Sequence, residues 1–452
     1  MHDVLDLRDL VPDEAEQLTH SGYDAGGLLA EAREAAARSD TTALIAIRGR
    51  FARLSRSADW PYDEPSEPEA VWATLPAASE PDGEAPADVA ERIEGAWLGR
   101  CIGNTMGKPV EGLTADEVAL YLEAVGQQPQ VGYLPLLDPL PAGVSHLHES
   151  APYASAGRFD AVPRDDDLDW TILGLHLLET YGDRMTTQDI AREWLDRIPF
   201  TQTFTAERAA YRNLVSGHTP PATATVDNPY REWIGALIRT DAYGYVHPGR
   251  PRAAARLALR DARLSHTGNG MYGAMWSAAL ISGALVASRP SDALRAALDV
   301  LPPGSRMYEA QRALLALADT GAEAAEALAW IQHHLGHYNW VHTVNNAATI
   351  AVALLWGEGD FVRSIALAVS AGNDTDSTAA TVGSAVGALC GPSAVPERLV
   401  APTGGVVRSA VRGFDRITVA ELARRTDEVR RSLTAGAAAP AGHTVSKEEV
   451  AP

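Results

Sequence analysis

Nearly every patterned stretch of this sequence repeats its apolar residues every three or four positions, and strand-like alternation is scarce. TILGLHLLETYG, TQDIAREWLDRI, PRAAARLALRDARLS, GAMWSAALISGALVAS, NNAATIAVALLWG and FVRSIALAVSAG all carry that period at helical length. A chain of this kind must bury helix faces against other helix faces, so the expected fold class is all-α. Its 452 residues exceed one small core and suit a large domain with extensions. LLAEAREAAARSDTTALIAIRGRFARL predicts helices near the start. ADWPYDEPSEPEAVWATLPAASEPDGEAPADVAE then reads as an acidic, Pro-rich linker. The expected organisation is an extension and linker over residues 1–86, a main domain over 87–434 and a disordered tail over 435–452.

Two of these helices are dense in small residues. VAERIEGAWLGRCIGNTMGKPVEG sets Gly95, Gly99 and Gly103 four apart, on one face. Each glycine costs a helix roughly 1 kcal/mol against alanine, which close approach of another group offsets. For Gly95 and Gly99 the expected neighbour is a tightly packed helix. STAATVGSAVGALCG is small and apolar, with Gly383 and Gly387 four apart, and predicts a buried helix.

Carboxylates crowd the mouths of two helices. Asp165, Asp166, Asp167 and Asp169 precede or open the TILGLHLLE stretch, and Asp374 and Asp376 open the small-residue helix. A single Asp cap satisfies a helix N-terminus and contributes about 1 kcal/mol. Three adjacent aspartates exceed that need and repel one another unless they splay into water or cations neutralise them. Either cluster alone reads equally as surface charge. Together, more than 200 residues apart, they make sense if they face each other across shared divalent ions. Carboxylate and hydroxyl oxygens suit Mg2+ and Mn2+, and Thr375 and Ser377 add hydroxyls.

The net charge of −21 argues against a nucleic-acid partner, because phosphate binding needs fields of Lys and Arg. The only lysines are Lys108 and Lys447. Two cysteines, Cys101 and Cys390, do not make a disulfide framework, and Cys101 reads as a small buried residue. The acidic start carries no secretory pattern and no run is apolar enough to span a bilayer, so a cytoplasmic chain without a membrane partner is expected. SHLHES and HHLGH lack the companions of a zinc site. His146 and His148 read as loop residues able to line a cleft, and His333 and His337 as a partly exposed helical pair. Asn345 and Asn346 read as helix-capping residues.

The sequence resembles the ADP-ribosylglycohydrolase family, which includes dinitrogenase reductase-activating glycohydrolase. Three blocks carry the likeness, in the family's order: GAWLGRCIGNTMGKPVEG, RDDDLDWTILGLHLLE and AGNDTDSTAATVGSAVGALCG. HPGRPRAAARLALRDARLSHTGNGMYGAMWSAAL resembles its middle region, and the likeness spans about residues 88 to 425. The resemblance implies a large orthogonal helical bundle with two Mg2+ or Mn2+ ions in a central cleft. It places Asp165, Asp166, Asp167, Asp374, Asp376 and Ser377 on the metal, and Glu111 beside one ion and the bound ribose. Glu111 and Asp167 are the expected catalytic groups. Asn104 stands where the family often has Asp, and Asp165 and Leu168 where it has Thr.

The implied activity is metal-assisted hydrolysis of a ribosyl glycosidic bond, through an oxocarbenium-like transition state. The loop SHTGNGMYG offers His266, Gly268, Asn269, Gly270 and Tyr272 as a nucleotide subsite, with Asn104 also toward substrate. A simple turn between helices is the equal alternative for that loop. The substrate is an ADP-ribosylated protein or a small ribosylated metabolite derived from NAD or a nucleoside. A catalytically silent ADP-ribose- or metal-binding member is the third reading.

Overall fold

The computed structural model describes residues 5–77 and 85–438. It is all-α: among the described residues the only sheet pairs Val406–Val407 with Ile417–Thr418, antiparallel. The last helix, Val419–Ala438, runs through the first residues of the expected tail. Residues 439–452, and residues 78–84 of the expected linker, lie outside the described residues.

The Gly268–Ala284 helix is buried along its whole length, and Thr343–Gly357 and Thr375–Cys390 nearly so. Helices apolar on all sides belong inside a large protein. Met271, Trp276, Ile350 and Val382 accordingly share one continuous core with Trp97 and Trp170. Among the described residues no helix is long and apolar enough to cross a membrane.

The Val89–Gly107 helix lies antiparallel against Thr375–Cys390, backbone on backbone. A Cβ added at Gly95 would meet Gly387 O at 2.5 Å, and one at Gly99 would meet Gly383 O at 2.0 Å. At Gly103 it would meet Ala379 O at 2.1 Å, and at Gly107 Thr375 O at 2.5 Å. The close approach expected at Gly95 and Gly99 thus continues for two further turns. The far end of this seam is where both helices meet the acidic residues.

Among the described residues the N-terminal extension forms three helices, Leu7–His20, Gly26–Ala37 and Thr41–Phe51, around Val11, Leu28, Ala32, Leu44 and Ile47, and the linker adds a short fourth, Pro68–Thr74. Asp6 and Asp40 cap the first and third by accepting backbone N–H groups. A second small cluster joins Leu5 and Leu10 to Ala206, Ala209, Tyr230, Trp233 and Val341 of the main body. Charge fixes the rest of the contact. Arg306 Nη2 lies 2.8 Å from Glu64 Oε2 and 2.8 Å from Glu232 Oε2, all buried. Gln17 donates to Glu232 at 2.6 Å, and Arg231 pairs with Glu14 at 2.6 Å.

Candidate active site: a carboxylate cleft

Three chain segments deliver the acidic side chains to one cleft of about 430 Å³. The first is the short 3-10 turn Lys108–Val110, which ends the glycine-rich helix and presents Glu111. The second is the start of the Asp166–Tyr181 helix, where Asp165 is the N-cap and accepts from the Asp167 N–H at 3.1 Å. The third is the start of the Thr375–Cys390 helix, with Asp374 in the cap position. Two helix N-termini therefore point partial positive charge at the carboxylates they carry.

Local geometry holds these segments in register. Gly372 and Asn373 have φ of +68° and +65°, and the tight turn they make lets Asn373 exchange backbone hydrogen bonds with Gly112 and Leu113. Thr375 Oγ1 donates to Gly107 O at 2.9 Å, so this hydroxyl ties helix to helix rather than serving as a ligand. The fully buried Arg100 donates to Asp167 O at 2.9 Å and pairs with Asp241 at 2.9 Å. Asp169 turns away from the cleft, accepting from Ser409 Oγ at 2.6 Å and Arg164 Nε at 2.7 Å.

The centre holds more negative charge than its cations balance. Burial and Asp376 push Glu111 up to about 8 against the pull of Lys108. Burial and Asp165 push Asp166 up to about 7. Burial leads again at Asp167 and Asp374, with Asp376 next in each case, and both rise well above the carboxylate range. Burial acts the same way on Asp165, but Lys108 and Arg164 outweigh it and hold that group down to about 2.

Glu111, Asp374 and Asp376 offer oxygens within 4.8 Å of one another, and so do Asp165, Asp167 and Asp376. Asp167 Oδ1 and Asp376 Oδ1 are buried without a hydrogen-bond donor. Oxygen-only donors with orphaned lone pairs fit a hard divalent cation. Ser377 sits at the same point, its Oγ donating to Asp167 Oδ2 at 3.2 Å.

The structure therefore brings Glu111, Asp165, Asp166, Asp167, Asp374, Asp376 and Ser377 together. Asn104 does not line the cleft; it donates to Asp165 Oδ1 at 3.1 Å and positions that carboxylate. His266, Gly268, Asn269, Gly270 and Tyr272 are not in the cleft either. They form a turn into the Gly268–Ala284 helix, buried beneath the N-terminal segment. Gly268 N–H donates to Ser66 Oγ, Asn269 Nδ2 to Glu64, and the Tyr272 hydroxyl to Pro65 O. Its glycines serve close packing: a Cβ at Gly270 would lie 2.4 Å from Arg231 O.

His146 and His148 do line the cleft, and His148 Nδ1 lies 3.5 Å from Glu111 Oε2. His333 is exposed on the Ala324–Leu335 helix and His337 lies beyond its end. Asn345 and Asn346 lie in the first turn of Thr343–Gly357 and reach back to Asn339 O and Trp340 O at 3.1 and 2.8 Å. Lys108, Arg100 and the rings of Phe204, Trp233 and Trp340 were not singled out in the sequence as parts of a site. Lys108 alone carried a cue, as one of two lysines in the chain.

An all-helical bundle with carboxylates from distant helix starts gathered beside one ring-lined cleft defines a class: an all-α protein with an acidic centre able to hold a metal ion. The family model for ADP-ribosylglycohydrolases matches residues 85–434, and the chain belongs to that family of glycohydrolases. One similar solved structure is described as an ADP-ribosylglycohydrolase-related protein complex. It shares 18% identity, covers 77% of this chain and 100% of its own, and has a TM-score of 0.43. No curated protein matches the sequence significantly.

Proposed function

We propose that the chain hydrolyses a ribosyl glycosidic bond in this cleft with a divalent cation, Mg2+ or Mn2+, and that the ribosyl group is an ADP-ribosyl. The observation that carries the reading is the meeting of Glu111, Asp166, Asp167, Asp374 and Asp376 at the wall of one ring-lined cleft, with Asp165 beside Asp167 and Asp376. Those carboxylates, with Ser377, would hold the cation. When bound, it would supply Lewis acidity toward ribose hydroxyls and water.

The remaining work falls to the chain's own groups. Glu111 and Asp167 are the proton-handling residues; Asp167 is buried and Glu111 half-buried, and both hold protons more tightly than free carboxylates do. Phe204, Trp233 and Trp340 offer flat surfaces for the planar and sugar portions of a nucleotide. His148, beside Glu111, lines the same cavity. Among the described residues, those lining the cleft all come from the main body rather than the N-terminal extension. Hydrolysis of a free NAD-derived metabolite uses the same centre.

The test is calorimetric titration of ADP-ribose into Mg2+-loaded protein, with Asp374→Ala as control. Turnover of ADP-ribosylated arginine and serine peptides is then compared with NAD-derived metabolites. Metal-dependent binding and release of ADP-ribose from a peptide supports the reading. Absence of both heat and turnover with every substrate leaves only a silent scaffold.

A further inference from the structure

The carboxylate centre already contains a cation. Lys108 Nζ lies 2.6 Å from Asp165 Oδ2, 2.7 Å from Glu111 Oε2 and 2.7 Å from Asp376 Oδ2. Its side chain is buried, and an ammonium has three donors for these three acceptors. The three oxygens come from all three segments that build the site. Each of the two acidic triads gives Lys108 two of its three members, with Asp376 common to both. In a chain with two lysines, the only one among the described residues stands here.

We propose that the Lys108 ammonium takes the place of one of the two ions expected from the sequence, leaving room for a single divalent ion. This rests on the metal-dependent reading above. A Mg2+ ion needs oxygens at about 2.0–2.1 Å in near-octahedral array. Oxygens already held at 2.6–2.7 Å by a positive charge cannot also surround an ion on that side without expelling it. The oxygens left over are Asp167 Oδ1 and Asp376 Oδ1, both buried and without donors, with the Asp374 carboxylate close by. That set serves one ion. Asp165 is then the counter-charge of Lys108, and Asn104 donates to its other oxygen. Arg100, 3.8 Å from Asp167 Oδ1, meets part of the remaining charge.

The proposal is tested on the full chain by equilibrium dialysis against Mn2+, with metal content and the Mn2+ electron-spin spectrum read together. Wild type is expected to bind one ion per chain and show an isolated-ion hyperfine pattern. Lys108→Met, which keeps an unbranched stem, is expected to bind two and show an exchange-coupled signal. The double variant Lys108→Met with Asp165→Thr removes a neutral charge pair and retains an oxygen, so it keeps the test alive if the single variant does not fold. Two coupled ions in wild type would overturn the role of Lys108 while leaving the metal-dependent function standing. One ion in wild type and in every variant overturns it as well. No ion in any of them removes both.

Discussion

Gly103→Ala tests how closely the helix seam governs the site. The added Cβ would stand 2.1 Å from Ala379 O, where ordinary contact begins at 3.4 Å. The neighbour is backbone, so no side chain can rotate away, and the two helices must part by about 1.3 Å at that level. Overpacking of a well-packed core costs about 1–3 kcal/mol, and backbone against backbone sets the upper end. At about 2.1 cal/mol/K of unfolding entropy per residue, a chain of 452 residues loses about 1 °C per kcal/mol, so the melting temperature should fall by about 3 °C. The same displacement reaches Lys108 and Asp376 one turn further on, where the contact is 2.7 Å. A shift near 1 Å there should weaken Mn2+ binding roughly tenfold or more. Gly49→Ala is the control: nothing lies within 4 Å of its Cβ, and it should stabilise by about 0.5–1 kcal/mol. Thermal melts and Mn2+ titration of the two variants decide the matter. Unchanged melting and unchanged affinity in Gly103→Ala would refute the idea that this seam sets the site's spacing.

Asp374→Asn should lower divalent affinity roughly 100-fold or more, yet stabilise the metal-free protein at pH 8, since burial and Asp376 disfavour the charged carboxylate there. A destabilised metal-free variant would contradict this. In the metal-free protein, Glu111 moves from 4.5 to about 8 and Asp166 from 3.8 to about 7 on folding, so the fold binds protons that the unfolded chain has lost. Stability from these groups is complete below pH 4 and declines as pH climbs through their folded values. The half-buried His20 and the buried His247, His266 and His342 act in the opposite sense, but only below their unfolded value of 6.5. Melting in EDTA should therefore fall between pH 6.5 and 8, and a saturating divalent ion should abolish the fall; a rise in EDTA would sink the account. Arg306→Ala leaves Glu64 and Glu232 buried without their cation, at a cost of about 3–5 kcal/mol. Limited proteolysis should then cut within residues 5–77 faster than in wild type, and identical digestion would argue against this anchor.

The period of the apolar residues made the all-α class legible, and the surplus of aspartates at two helix mouths marked two of the segments whose carboxylates come together. Both signals are local: each is written within a dozen consecutive residues. What escaped was non-local. Nothing around Lys108 in the sequence shows that Asp165 and Asp376 will arrive within 2.7 Å of its ammonium. The glycines of SHTGNGMYG carry the same composition as a phosphate-binding loop. Only the arrival of Glu64, Pro65 and Ser66 from 200 residues upstream shows that protein fills the space there. Arg306 likewise looks like any helix-start arginine until Glu64 and Glu232 close on it.

Leu5 and Leu10 brace Trp233 and Val341 from behind, and those two residues form part of the cleft's inner face. The back support of the cleft wall is thus a separate piece of chain from the carboxylates. On the proposed function, exchanging or trimming the N-terminal brace would recontour that wall without touching the carboxylates, so the extension would act as a tuning screw for selectivity.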